Sequence, residues 1–377
     1  MRNLQQWLST SLIVSLSAAA AGVCSRGGKM QKTQLQRWGL LYGVCSAVLM
    51  CSLYPATASA DVITGTLFYT TFSGGVNVHS VDFNFNGTSF LLTNNHGIAS
   101  TSGADGLLFA PDGNLLVAGQ GNNLTEVTTG GTIVRTVAPG GGSFHLALSS
   151  SAPNALVYNL NNGGCGNNCI SAVTLSGGGL SVNGALYTTI PCAGCSADVR
   201  GVILNTNNNT WYYGTAPDGG SGEFGTVVFN DTLHTATLTR LKTGLFAHGL
   251  TFDPFSNDVI VNSAGTVQQL DAAGNILSSF TAAGNTFDQG AADGKGHLFV
   301  ASNNGNLLFI DYDATGLIGA GSNFTSTQFL AGSLDDIAPL SGLGGGGPSV
   351  PQPSSLLLLG GGLVAAALVR YRRARAL

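Results

Sequence analysis

Gly106-Leu107-Leu108-Phe109-Ala110-Pro111-Asp112-Gly113-Asn114-Leu115-Leu116-Val117 sets a rhythm that the middle of this chain keeps. Apolar residues alternate up to Ala110, a Pro-Asp-Gly turn follows, and a second apolar run starts at Leu115, which predicts two antiparallel strands. The phrase returns at Gly249-Leu250-Thr251-Phe252-Asp253-Pro254 and runs on to Val259-Ile260-Val261. Looser versions begin at His145-Leu146, Gly201-Val202, Gly290-Ala291 and Asp336-Ile337. With Leu107, Leu146, Val202, Leu250, Ala291 and Ile337 as markers, the spacings are 39, 56, 48, 41 and 46 residues. The second half of the unit recurs as well: Asn262 to Ile276 parallels Gly121 to Ile133, with a hairpin turn over Asp271 to Gly274. A chain of 377 residues with 55 glycines and only 8% charged residues suits short strands and tight turns better than long helices.

Repeats of about 40 to 50 residues with about four strands each are the mark of a β-propeller, and six markers predict six blades. Gly65-Thr66-Leu67-Phe68-Tyr69-Thr70 is similar to Gly296-His297-Leu298-Phe299-Val300-Ala301, which is the second strand of its unit. The mature chain therefore begins in the middle of a blade, and Ile337 to Leu340 must return as the missing inner strand. Closure of that kind removes open sheet edges. The Gly-Leu-x-Phe-Asp-Pro phrase at 249–254 and its turn resemble the NHL and gluconolactonase-like propellers, across most of Leu67 to Leu340. The resemblance implies the all-β fold. Its gluconolactonase-like side also implies a divalent metal held by Glu, Asn and Asp, but the body has only Glu126 and Glu223, neither at the start of an inner strand.

The two ends of the chain differ sharply from this body. Residues 1–60 hold two leader-like segments in series: Arg2 before Leu12 to Val23, then Lys29, Lys32 and Arg37 before Gly39 to Leu53. Only the second ends in a small-residue cleavage pattern, Ala56-Thr57-Ala58-Ser59-Ala60, which signal peptidase would cut to leave Asp61 first, with Met30 as the working start. After the body at 61–341 comes a Gly/Pro/Ser linker at 342–353. The last segment, 354–377, has an apolar run of 14 residues, Leu356 to Val369, followed by Arg370, Arg372, Arg373 and Arg375. That run is shorter than the roughly 20 residues of a comfortable span, but the arginine cluster behind it is the expected cytoplasmic stop of a membrane helix. Val350-Pro351-Gln352-Pro353, the apolar run and the arginines together resemble the PEP-CTERM sorting signal of exosortase-processed proteins. Gln352 stands where that family usually has Glu. The resemblance implies an exosortase-type partner, an inner-membrane stage, and delivery to the cell surface or medium in association with polysaccharide.

Charge separates the same parts. The formal net charge is −4, yet all 18 acidic residues lie in the body with only Arg135, Arg200, Arg240, Lys242 and Lys295, so the body alone carries 5 − 18 = −13. A surface so acidic repels nucleic acid and anionic membrane.

Four cysteines follow the leader: Cys165, Cys169, Cys192 and Cys195. Export favours disulfides, with Cys165–Cys169 and Cys192–Cys195 as local pairs among three possible pairings, and a tetrahedral zinc site as the alternative. Residues just before each inner strand ring the mouth of a propeller's channel. Here these are Asp105, His145, Arg200, His248, Gln289 and Asp336, with Phe144 and Asp335 beside them. Such a ring suits a polar ligand or a divalent metal, but polar side chains gather at that rim simply because the channel holds water, which is the expected reading. Asp311-Tyr312-Asp313-Ala314-Thr315-Gly316 offers two calcium-type oxygens but lacks the remaining carboxylates, which leaves turn chemistry. No Gly-x-Ser-x-Gly elbow and no phosphate-cradling loop is present. No motif requires a cofactor. The sequence thus reads as an exported, non-enzymatic propeller that binds or builds at the envelope; the alternative is a metal-dependent lactonase or hydrolase working at the channel mouth.

Overall fold

The computed structural model describes residues 62–338, apart from 73–74, 120–122, 139–141, 151, 153–154, 163–168, 197 and 217–221. The leader, the linker, the sorting tail with its expected helix, and Cys165 lie outside the described residues. The described residues form strands and turns, with no helix.

The strands make four sheets of four and one of eight. The eight-stranded sheet is two meanders, 142–190 and 199–243. They join where β11 (Gly179–Ile190) runs parallel to β15 (Thr235–Thr243), Thr188 facing Thr235 and Ile190 facing Thr237. Divided there, the described strands fall into six sets of four, the others spanning 104–137, 249–281, 287–329, and a set made from both ends of the described body. In that last unit β24 (Leu334–Ala338) pairs antiparallel with β1 (Ile63–Thr71), matching Tyr69 with Ile337.

Each marker residue falls on the first strand of a unit. These inner strands are β4 (Ala104–Phe109), β8 (Gly142–Leu148), β12 (Val199–Asn205), β16 (Gly249–Asp253), β20 (Phe287–Ala292) and β24. They touch in cyclic order: β24 lies beside β4, β4 beside β8, β8 beside β12, β12 beside β16, β16 beside β20, and β20 beside β24.

The core is not one mass but six apolar clusters, each filled from two consecutive units. The cluster at the ring closure sets Phe83, Phe85 and Phe90 against Phe299 and Phe309, with the Phe90 and Phe309 rings stacked at 4.3 Å. Alternation along each strand places apolar side chains on both faces of each unit, so every sheet is sandwiched by its neighbours.

The recurring glycine has a physical cause. A Cβ on Gly106 would overlap the Phe144 carbonyl, and one on Gly249 would overlap the Asp288 carbonyl. Neighbouring inner strands approach too closely there for any side chain. Thr70 of β1 adds a polar clamp: its hydroxyl donates to the Asp105 carbonyl at 2.6 Å and accepts from the Asp336 N–H at 3.1 Å.

Candidate functional site

The inner strands do not run regularly into the channel mouth. Against two steps on its partner strand, β4 takes three from Ala104 to Leu107, β8 three from Ser143 to Leu146, and β20 three from Phe287 to Gly290. β24 does the same, three from Leu334 to Ile337 against Tyr69 to Thr71, and β12 carries one extra residue between Val199 and Gly201. These are β-bulges, which re-aim side chains. Asp105, His145, Arg200, Asp288, Asp335 and Asp336 all sit on them. The bulge in β24 explains how two consecutive residues, Asp335 and Asp336, which a regular strand would point to opposite faces, both join one cluster.

Six side chains meet there. His145 Nδ1 lies 3.3 Å from Asp336 Oδ2, and its Nε2 lies 3.5 Å from Asp288 Oδ1. His248 Nδ1 lies 2.6 Å from that same Asp288 oxygen. The two imidazole rings stand edge to face with centroids 5.2 Å apart, and Phe246 stacks on His248. Asp105, His145, Asp288, Asp335 and Asp336 are buried, whereas the His248 side chain is 28% exposed.

Four carboxyls and two imidazoles in so small a space set one another's protonation. Burial alone would lower the pKa of His145, but the charges of Asp336, Asp288 and Asp105 and the Asp336 hydrogen bond hold it up at about 10. Burial would raise Asp288, yet the His248 charge and hydrogen bond, with His145, keep it below the usual carboxylate range. Asp335 is pushed well up, first by burial and then by Asp105, Asp288 and Asp336. Asp336 is raised by burial, with His145 opposing. Neither Asp335 oxygen meets a hydrogen-bond donor, nor does Asp336 Oδ1. Asp335 and Asp288 lie within reach of a hydrogen bond that exists only if a proton sits between them.

Of the residues expected at the rim, the structure brings together Asp105, His145, His248 and Asp336. Arg200 turns to Asp198, with Nη2 to Oδ2 at 3.4 Å. Gln289 donates from Nε2 to the Leu250 carbonyl at 2.9 Å and so stitches β20 to β16. Asp288 takes the place at the cluster for which Gln289 was expected. The signal that would have found it is the bulge, which has no side-chain signature in the sequence.

A cavity of about 660 Å³ is lined by the inner strands beyond these residues. Its wall carries Leu107, Leu146, Leu250, Ala291 and Ile337, with Gln289 as a polar group. The two glutamates of the body serve elsewhere. Glu126 is buried and accepts from Asn114 Nδ2 at 2.7 Å and from the Leu180 N–H at 2.8 Å. Glu223 pairs with Arg240 at 3.0 Å. Cys192 and Cys195 stand with Cα atoms 5.1 Å apart, within the range a disulfide spans. At the Asp311-Asp313 turn the Asp313 N–H donates to Asp311 Oδ1.

Comparison with known families touches the other end of the chain. Residues 349–373 match the PEP-CTERM protein-sorting motif. The sorting motif implies export, membrane anchoring through the C-terminal tail and processing by an exosortase-type enzyme. Comparison with curated proteins finds no match. Among solved structures, the chain is similar to a candidate 6-phosphogluconolactonase from Bacteroides uniformis at 14% identity and a TM-score of 0.44, over 71% of this chain and 84% of that one. It is likewise similar to a protein of unknown function from Bacteroides caccae at 12% identity and a TM-score of 0.44, over 73% of this chain and 98% of the other.

Proposed function

We propose that this chain is an exported, non-enzymatic binding propeller, carried across the inner membrane and held at the envelope by its sorting tail, where it associates with surface polysaccharide. The observation that carries the reading is the PEP-CTERM match at 349–373 behind a strongly acidic ring of strands. Two features of the ring support binding over turnover. The cavity of about 660 Å³ lies within the size range of small-ligand sites. The titratable groups, by contrast, are almost wholly buried, and a catalytic centre needs an open position at which substrate meets the reacting group. Fractionation of the native host with mass spectrometry of the mature chain is the test. The expected product begins near Asp61 and sits in the envelope or the medium. Replacing Arg370, Arg372 and Arg373 together by alanine should upset its retention. A full-length chain, soluble in the cytoplasm with residues 1–60 attached, would overturn the reading.

One observation favours a second reading. His145, His248 and Asp288 present three ligating atoms in one place, as a metal-dependent hydrolase of lactonase type would require. Lactone hydrolysis that depends on added divalent metal and disappears in His248→Gln would replace the binding reading with this one.

A further inference from the structure

The two ends of the inner strands differ in chemistry. The titratable cluster sits where the strands start, and the residues that follow on all six of them line the cavity of about 660 Å³. Past the strands its wall ends on the turn residues Pro111, Gly113, Ser150, Thr206 and Pro254, so the cavity lies toward the face opposite the cluster. Gly113 and Thr206 are exposed, and Leu108 and Ile203 on the wall are half-buried, so the cavity reaches solvent on that face.

None of the described residues on the wall is Asp, Glu, Lys, Arg or His. A charged ligand would shed its water there and meet no counter-charge. A saccharide fits little better, because the polar side chains on the wall are already engaged. The Thr251 hydroxyl donates to the Gly290 carbonyl at 2.9 Å, the Gln289 amide to the Leu250 carbonyl at 2.9 Å, and Ser150 Oγ accepts from the Ala152 N–H at 3.2 Å. The inner strands are the end strands of their sheets, so neutral backbone groups along their free edges can still meet an occasional carbonyl or hydroxyl of a ligand. Most of the contact would fall to Leu107, Phe109, Leu146, Ile203, Leu250 and Phe252. Water finds few partners against such a wall, whereas an apolar molecule loses nothing by entering it.

We propose that this cavity is a binding site for an uncharged, mainly apolar small molecule, admitted from the turn face past Ser150 and Thr206. The volume is that of a site for one drug-sized molecule. This ligand is separate from the polysaccharide association, and the two readings fail separately: fractionation of the host reads delivery, and the purified chain reads the cavity.

The test uses the full chain, exported from a bacterial host and purified, with benzophenone as the probe. Benzophenone is neutral and apolar, and on irradiation it adds to C–H bonds that it touches, so peptide mass spectrometry reports where it sat. The expected result is saturable labelling of the inner-strand peptides that hold Phe109, Ile203 and Phe252. The carboxylate analogue 4-benzoylbenzoate should label them at least about tenfold less. Thr206→Trp, a plug at an exposed rim position, should cut the benzophenone label there at least about tenfold at unchanged circular dichroism. Val228→Trp, exposed on an outer strand, should leave the label as it is. Ser150→Trp plugs from another strand and replaces Thr206→Trp should that variant not fold. Label confined to the sorting tail or the outer strands, or label in the inner strands undiminished by either plug, would sink the proposal. Equal labelling by 4-benzoylbenzoate, or protection of the same peptides by maltohexaose, would overturn the class of ligand.

Discussion

Gly106 shows how much one missing carbon can settle. Its Cβ would enter the Phe144 carbonyl, which is backbone and cannot swing aside. Gly106→Ala should therefore cost about 1–3 kcal/mol, read as a lower denaturation midpoint at unchanged m-value. An unshifted midpoint would show that the inner strands are looser than described. His297 makes a separate case, since it is fully buried and its Nδ1 sits 2.7 Å from Asp293 Oδ2. Burial alone would lower its pKa, but the Asp293 hydrogen bond and the charges of Asp293, Asp311 and Asp313 raise it above the ordinary imidazole value of 6.5. A raised folded pKa gives stability that is whole below the unfolded value and fades as pH climbs through the folded one. The wild-type Tm should therefore fall on the alkaline side of about pH 6.5 by more than that of His297→Gln. Parallel Tm–pH curves for the two proteins would refute the assignment. At this scale the sequence was readable where chemistry depends on residue type, as with Asp105, His145, His248 and Asp336. It misled at Gln289, because choosing between adjacent residues needs the register, and one extra residue in β20 hands the place to Asp288.

Among the elements, the inner strands were the most legible. The Gly-Leu phrase is a direct consequence of crowding at the mouth followed by an apolar channel wall, and its markers fall on every fourth strand. The bulges were not legible, since insertion of one residue leaves alternation locally plausible in either register. The parallel contact between β11 and β15 was also hidden. Its residues are Thr188, Thr189 and Ile190 against Thr235, Ala236 and Thr237, far apart in the chain and without a distinctive pattern. Units are also held by polar staples. Glu126 belongs to the 104–137 unit, yet it accepts from the Leu180 N–H of the next. Arg135 reinforces the pair by donating to the Leu180 carbonyl at 2.6 Å. Glu126→Ala would strand the Leu180 N–H and leave Asn114 Nδ2 with only Asp112 Oδ2, and should lower unfolding stability by about 1–3 kcal/mol. Chemical denaturation of that variant measures it, and a loss below about 0.5 kcal/mol would mean that water replaces the carboxylate.

For the molecule as a whole, six apolar clusters between successive units mean that no unit owns its core. The unit built from both ends of the described body shares one cluster with 104–137 and another with 287–329, and β24 places Ala338 in the first and Leu334 and Ile337 in the second, so the closing strand is held by two cores. Native-state hydrogen exchange should find the amides of Leu334 to Ala338 among the slowest in the protein, despite their position at the end of the folded body. Early exchange there would show that the closure frays. The overall architecture was legible in the repeat spacing because each spacing is one unit. The longest interval, from Leu146 to Val202, is long because β11 extends to 12 residues and the Cys192 to Cys195 turn follows it.

The side-by-side run of β11 and β15 has one more consequence. Because two neighbouring units there share a rim as well as a buried face, they form a single mechanical plate within an otherwise jointed wheel. A pull or a partial melt should detach that pair as one piece, and the seams on either side of it are where the wheel would first come apart.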